Sequence, residues 1–201
     1  MLDRRKLADE VLASYRAARQ AFTLAKERDL MKQAREATNK RVTIGGSNKI
    51  TDPDIEASFR SDVWAAHDEA LASIDKRLAK ASREMSEPPT EEAARYIVSI
   101  SGRKNLTRDE VDAALDRYKG HAVERAIYTA AAESGLRGYG GKTAVENDVD
   151  DLRTLYSDVD KAIQPSSFYG RSDGYHAFME QAIDNFGNGA AFDALAGFVR
   201  G

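Results

Sequence analysis

The sequence predicts an all-α protein built around a long antiparallel helical hairpin, with a packed bundle of shorter helices. Apolar residues recur at steps of three and four through most of the first 85 residues, which is the period of a helix. A single glycine-rich break, at residues 45–48, divides that stretch in two. Residues that commonly cap helices then open the shorter segments further along the chain.

The first segment predicts one uninterrupted helix. It has no Gly or Pro before Gly45 and is rich in Ala, which favours helix. Its apolar stripe consists of Leu7, Val11, Tyr15, Ala18, Phe22 and Ala25. A helix this long with few large apolar residues needs a partner along its length, because isolated helices are marginal in water.

The second segment supplies that partner. Its stripe runs through Ile55, Phe59, Val63, Ala66, Ala70, Ile74, Leu78, Ala81 and Met85. Asp52 is suited to cap this helix, with Pro53 at the first helical position. A short connection between two long helices favours an antiparallel pair. The tip, residues 42–51, has β-branched residues around a Gly-Ser-Asn turn, and both a tiny β-hairpin and a loop fit it.

Beyond the hairpin, Pro88 and Pro89 mark the best domain boundary. We expect three parts: residues 1–87 as the hairpin, 88–164 as a short-helix bundle, and 165–201 as an aromatic docking segment. Thr90 is suited to cap one short helix. Capping boxes, in which the cap residue and the third helical residue bond reciprocally, are predicted at Thr107 with Glu110 and at Thr143 with Glu146.

Composition limits the classes of protein. The chain has 201 residues, no Cys and a net charge of -3. It therefore offers no disulfide framework and no thiolate chemistry. No apolar run is long enough to span a membrane, and the first residues do not resemble a signal peptide. We expect a protein that is cytoplasmic, or assembled into a particle made in the cytoplasm, without a membrane partner.

Charge is spread unevenly along the chain. Residues 1–50 carry 12 basic and 6 acidic residues, whereas the remainder carries 18 basic and 27 acidic residues. Such asymmetry indicates either an anionic partner or pairing of the basic helix with acidic helices of its own or a neighbouring chain.

Motifs for catalysis or ligand binding are weak. Residues 135–143 end in Gly-Lys-Thr like a P-loop, but the first glycine is out of register and helix precedes it. Residues 99–110 have the outline of a calcium loop but almost no carboxylates. The three histidines, His67, His121 and His176, lack metal-ligand spacing. We expect no catalytic residue, no metal, no cofactor and no small-molecule ligand.

The last segment holds seven of the sixteen aromatic residues and only two basic ones. So much aromatic surface has to be buried, either on its own body or in another subunit. We predict short helices near residues 175–186 and 190–199. The candidate partner-contact residues are Phe168, Tyr169, Tyr175, Phe178, Phe186, Phe192 and Phe198.

These patterns favour a non-enzymatic helical interaction or assembly protein, an adaptor or accessory subunit of a larger complex such as a phage or prophage particle. It would contact a protein partner or further copies of itself. The alternative is a small nucleic-acid-binding regulator that acts through the basic helix. Its candidate contact residues are Arg16, Arg19, Lys26, Arg28, Lys32, Arg35, Lys40, Arg41 and Lys49.

Overall fold

The computed structural model describes residues 2–40, 49–139 and 141–189, and over these ranges the protein is all-α, with eight helices and no strand. The prediction of fold class is confirmed. The helices are α1 (Arg4–Lys40), α2 (Pro53–Ser86), α3 (Glu91–Ile100), α4 (Arg108–Arg117), α5 (His121–Glu133), α6 (Ala144–Ala162), α7 (Pro165–Phe168) and α8 (Asp173–Gly187).

Helices α1 and α2 form the long antiparallel pair that the sequence predicts, packed with shorter helices. The predicted seam residues of both helices are largely buried, including Tyr15 and Phe59. The ring of Phe22 lies 5.4 Å from that of Phe59, centroid to centroid. Most of the tip, residues 41–48, lies outside the described residues, so the two alternatives for residues 42–51, a tiny β-hairpin and a loop, both stay open.

A buried carboxylate anchors the chain where it enters α2. Asp29 of α1 is only 3% exposed. It accepts backbone N–H bonds from Thr51 at 3.0 Å and from Asp52 at 2.9 Å, and the side-chain amide of Gln33 at 2.8 Å. Asp52 in turn accepts the N–H groups of residues 54 and 55, and so caps α2 as predicted. Lys32 pairs with Asp52. These bonds fix the start of α2 against α1.

Contacts divide the chain into two compact units, one of residues 3–75 and 153–201, the other of residues 1–2 and 76–152. These divisions fall within α2 and α6, whereas the sequence predicts boundaries after residues 87 and 164. The division into three parts that the sequence predicts stays a prediction.

In the first unit α1 packs closely on α8. The two helices approach most tightly at Gly187, the last residue of α8. A Cβ atom built on Gly187 would lie 2.7 Å from the Cβ of Ala8 and 3.6 Å from the Cα of Arg5. That first distance is well below van der Waals contact, so the absence of a side chain at Gly187 sets the separation of the helices.

In the second unit α3, α4 and α5 surround one apolar core. Its buried members are Ala93, Ile100, Leu106, Val111, Ala114, Val123, Ile127, Ala130 and Ala131. Tyr96 and Tyr118 stack at its edge, with ring centroids 4.5 Å apart. Thr107 and Glu110 form the complete capping box that the sequence predicts. The side chain of Thr90 caps α3, also as predicted.

The remaining elements compare with prediction as follows. Helix α4 ends at Arg117, and Tyr118 after it takes an extended conformation. The four-residue helix α7, which Pro165 opens at its first position, was not expected. Helix α8 covers the helix predicted near 175–186. The helix predicted at 190–199 lies outside the described residues.

Candidate interaction surfaces

The aromatic residues of the last segment are mostly buried within their own unit. Phe168, Tyr175 and Phe186 are buried. Tyr169 and Phe178 are partly buried. The last two predicted contact residues, Phe192 and Phe198, lie outside the described part of the chain. The aromatic side chains that are fully buried here serve as core, and a role for the segment in partner contact stays a prediction.

Phe168 belongs to an aromatic cluster contributed by α1, α2, α7 and α8. Its ring stacks on that of His176, with centroids 5.5 Å apart and planes 11° from parallel. Phe22 packs against both Phe168 and Tyr169. The hydroxyl of the fully buried Tyr15 lies 2.7 Å from Nδ1 of His176. The cluster thus joins helices that lie more than 100 residues apart in sequence.

The hydroxyl of Tyr169 is buried and has no hydrogen-bond partner among the described residues. Burial also raises the pKa of this phenol.

An unmade buried hydrogen bond costs about 1–3 kcal/mol. We therefore expect Tyr169→Phe to raise the free energy of unfolding by about 1 kcal/mol in urea titrations. Tyr128→Phe, at another partly buried tyrosine, is the control. A loss of stability in Tyr169→Phe contradicts this expectation.

The basic face of α1 is partly neutralised by acidic residues of α8. Arg16 bonds to Glu180 at 2.9 Å. Arg19 reaches both Glu180, at 3.1 Å, and Asp173, at 3.2 Å. Arg5 bonds to Asp184 at 2.7 Å. Of the two explanations for the charge asymmetry, internal pairing holds for these arginines. Their charges are less available to phosphates than the sequence alone indicates.

The other basic residues proposed for nucleic-acid contact have mixed surroundings. Lys32 pairs with Asp52, as described above. The Nζ atom of Lys26 lies 5.5 Å from the centre of the Phe22 ring. Arg28, Arg35 and Lys49 are exposed. The side chain of Lys40 and the whole of Arg41 lie outside the described residues. Arg28, Lys32 and Arg35 recur at steps of four and three and so share one face of α1. A role of the predicted set in nucleic-acid contact stays a prediction.

The distal half of α1 exposes large apolar side chains that the sequence analysis did not single out. Leu24 is 41% exposed, Leu30 43% and Met31 55%. Leu24 and Met31 lie seven residues apart and so share one face of the helix. The signal was present in the sequence, since neither residue fits the buried stripe that ends at Ala25.

The three histidines each lie within hydrogen-bond distance of another side chain. His67 lies between Asp68, at 3.1 Å, and Asp160, at 3.0 Å. His121 lies 3.3 Å from Glu146, whose other oxygen accepts the N–H of Thr143. No group of three or more potential ligands gathers within the described ranges. No described helix combines the length and the apolar character that crossing a membrane requires.

The two motif look-alikes have structural roles. Gly135 takes a left-handed conformation, φ 76°, directly after α5. Leu136 donates its N–H to the carbonyl of Ala131, which closes the helix end. In the calcium-like frame, Glu110 is engaged by Thr107 and by Arg103, at 3.0 Å. Each motif therefore ends or begins a helix.

Comparison with known protein families, curated proteins and solved structures finds no match for this chain. Its function is accordingly argued from its own residues.

Proposed function

We propose that this chain is a non-enzymatic helical assembly protein, an accessory or adaptor subunit of a larger complex, that associates with a second copy through the distal half of α1. The observation that carries the proposal is the exposed apolar face formed by Leu24 and Met31, which are 41% and 55% exposed. Two large apolar side chains seven residues apart lie on the same face of α1, and exposed apolar patches commonly mark interaction sites.

Charge favours a second copy as the occupant. Glu27 and Arg28 lie on opposite sides of the line from Leu24 to Met31, each about 50° from it around the helix. In a parallel pair related by a two-fold axis, opposite flanks meet at the same height. Glu27 then faces Arg28 of the second copy, and the apolar residues meet their own counterparts. An antiparallel pair would bring Arg28 against Arg28, which is repulsive.

The test is the oligomeric state of the full chain in sedimentation velocity. We expect the wild-type protein to form a dimer or larger assembly, and Leu24→Glu combined with Met31→Glu to yield monomers. Both sites are exposed, so helicity in circular dichroism should not change. Val98→Glu, at the exposed valine of α3, is the matched control and should leave assembly intact. A wild-type protein that sediments as a monomer at about 100 μM contradicts the proposal.

A charge-reversal series tests the parallel arrangement. Glu27→Arg should weaken association by about tenfold, because it places Arg against Arg. Adding Arg28→Glu to the same chain should restore association. Each copy then has a basic residue at position 27 that faces an acidic residue at position 28 of the other copy. If the double variant associates no better than Glu27→Arg alone, the parallel arrangement is wrong even where self-association holds.

A nucleic-acid-binding regulator remains the rival hypothesis, and the ion pairs of Arg16 and Arg19 weigh against it. The informative substitutions are now Arg28→Ala and Arg35→Ala, because both side chains are exposed. Duplex and single-stranded DNA titrated at two salt concentrations provide the measurement. Salt-dependent binding that this double variant reduces would favour the rival.

A further inference from the structure

A cleft of about 460 Å³ opens between the middle of α1 and the start of α8. This volume is within the range of small-molecule sites, about 300–1,000 Å³. Its walls include Phe22, Lys26 and Leu30 from α1 and Arg171 and His176 from the α8 side. All of these residues belong to the same compact unit.

His176 is a nearly buried residue of the cleft lining. It is only 5% exposed, and its Nδ1 lies 2.7 Å from the hydroxyl of Tyr15. The other ring nitrogen, Nε2, has no hydrogen-bond partner among the described residues, so it is the ring atom left for a ligand in the cleft.

The hydrogen bond to Tyr15 determines whether Nε2 of His176 is a donor or an acceptor. Burial raises the pKa of the Tyr15 phenol, which stays protonated. We infer that the phenol donates to Nδ1, because Nδ1 is the acceptor that this fully buried hydroxyl meets among the described residues. Desolvation lowers the pKa of His176, which favours the neutral ring. In a neutral ring whose Nδ1 accepts, the proton is on Nε2. The cleft therefore receives an N–H donor.

Two basic side chains add further hydrogen-bond donors to the cleft. Lys26 and Arg171 both line the cleft, and neither has a carboxylate partner within the described part of the chain. They rest on aromatic faces instead: Lys26 on Phe22, and Arg171 on Tyr175 with 4.7 Å from Cζ to the ring centre. Arg19, a third cation of the lining, is already paired with Glu180 and Asp173.

The remaining surroundings favour a ligand that combines an anion with an apolar group. The start of α8 contributes the positive end of its helix dipole. Phe22 and Leu30 supply apolar wall, and Leu30 is among the exposed large apolar residues of α1. Glu27 and Asp173 also border the cleft and limit its positive charge; Asp173 lies in the first turn of α8 and is paired with Arg19. A single anionic group is therefore a better match than a highly charged ligand.

We propose that this cleft binds a small organic anion, a phosphate or carboxylate attached to an apolar or aromatic group. The anionic group accepts from Nε2–H of His176 and lies between Lys26 and Arg171. The apolar group packs on Phe22 and Leu30. The anion-binding groups His176, Lys26 and Arg171 lie off the face of Leu24 and Met31, although Glu27 borders both, so anion binding and self-association are measured by different experiments and can fail separately.

The first experiment titrates the full chain with phenyl phosphate, benzoate and inorganic phosphate by isothermal calorimetry. We expect saturable binding of phenyl phosphate or benzoate, at least tenfold tighter than inorganic phosphate. Lys26→Gln with Arg171→Gln should weaken that binding by about tenfold or more. The control, Lys6→Gln with Arg35→Gln, removes the same charge from exposed positions of α1 outside the cleft. It should change affinity less than about twofold.

Three results would overturn the proposal: no saturable binding up to about 10 mM, equal affinity for inorganic phosphate, or equal weakening in the control variant. A second measurement does not depend on any substitution. Proton–nitrogen correlation spectra of the histidine rings should show His176 protonated at Nε2, with that nitrogen shifting as phenyl phosphate is added. Protonation at Nδ1, or an Nε2 signal that does not respond to the bound probe, contradicts the assignment.

Discussion

Replacing Gly187 with alanine is expected to lower the free energy of unfolding by about 2 kcal/mol, because the new methyl group collides with α1. Its position lies 2.7 Å from the Cβ of Ala8, an atom fixed to the backbone that cannot rotate away. The helices must separate, and the contacts between them are lost together. Alanine's better helix propensity offsets at most about 1 kcal/mol, less at a helix end. Chemical denaturation monitored by circular dichroism measures the change.

Helix α8 provides its own control at Gly174. A Cβ there meets only the hydroxyl of Ser172, at 3.6 Å, which is ordinary contact. Gly174→Ala should therefore be neutral or slightly stabilising. Adding Ala8→Gly to Gly187→Ala removes the Cβ atom that the new methyl group would meet, and should recover part of the lost stability. If Gly187→Ala and Gly174→Ala are equally tolerated, close packing at Gly187 does not determine the fit of α8 on α1.

The second large effect is expected from Asp29→Asn, which we predict to destabilise the protein by about 2–3 kcal/mol. The change keeps the shape but replaces one accepting oxygen with an NH₂ donor. Both carboxylate oxygens of Asp29 face donors, namely the backbone N–H groups of Thr51 and Asp52 and the side chain of Gln33. The asparagine amide must then point at another donor in a buried site. Thermal and urea unfolding provide the measurement.

Asp75→Asn, at an exposed position of α2, removes the same charge without disturbing a buried network. It is expected to change stability by less than about 0.5 kcal/mol. Hydrogen exchange adds a local readout, since Asp29→Asn should accelerate exchange of the Thr51 and Asp52 amides more than that of core amides in α1. Equal stability of the two variants would mean that the anchoring bonds contribute nothing net.

The parts of the fold that were predictable depend on local rules. The cap at Asp52, the proline at the first position of α2 and the capping box at Thr107 each involve residues within one helical turn. The buried stripes were also readable, because the helical period repeats over many residues. These signals predicted the helices α1, α2, α3, α4, α6 and α8.

The parts that could not be predicted depend on residues far apart in sequence. Asp29 falls on the buried side of α1, where a carboxylate is unfavourable unless donors satisfy it, and its backbone donors at Thr51 and Asp52 follow more than 20 residues later. Gly187 resembles an ordinary helix end, and its close contact with Ala8 is visible only in three dimensions. The cleft at His176 could not be predicted for the same reason. Its walls come from α1 and the start of α8, and His176 is bonded to Tyr15, which lies 161 residues away.

The contact between α1 and α8 has a consequence for synthesis on the ribosome. Arg5 and Asp184 are partners separated by 179 residues, so most of the chain must be made before they can meet. The core of α3, α4 and α5, by contrast, closes within residues 93–131. Short-range contacts form sooner than long-range ones. The core of α3, α4 and α5 is therefore expected to form before α1 meets α8, and the part of α1 that packs on α8 stays uncovered until α8 emerges.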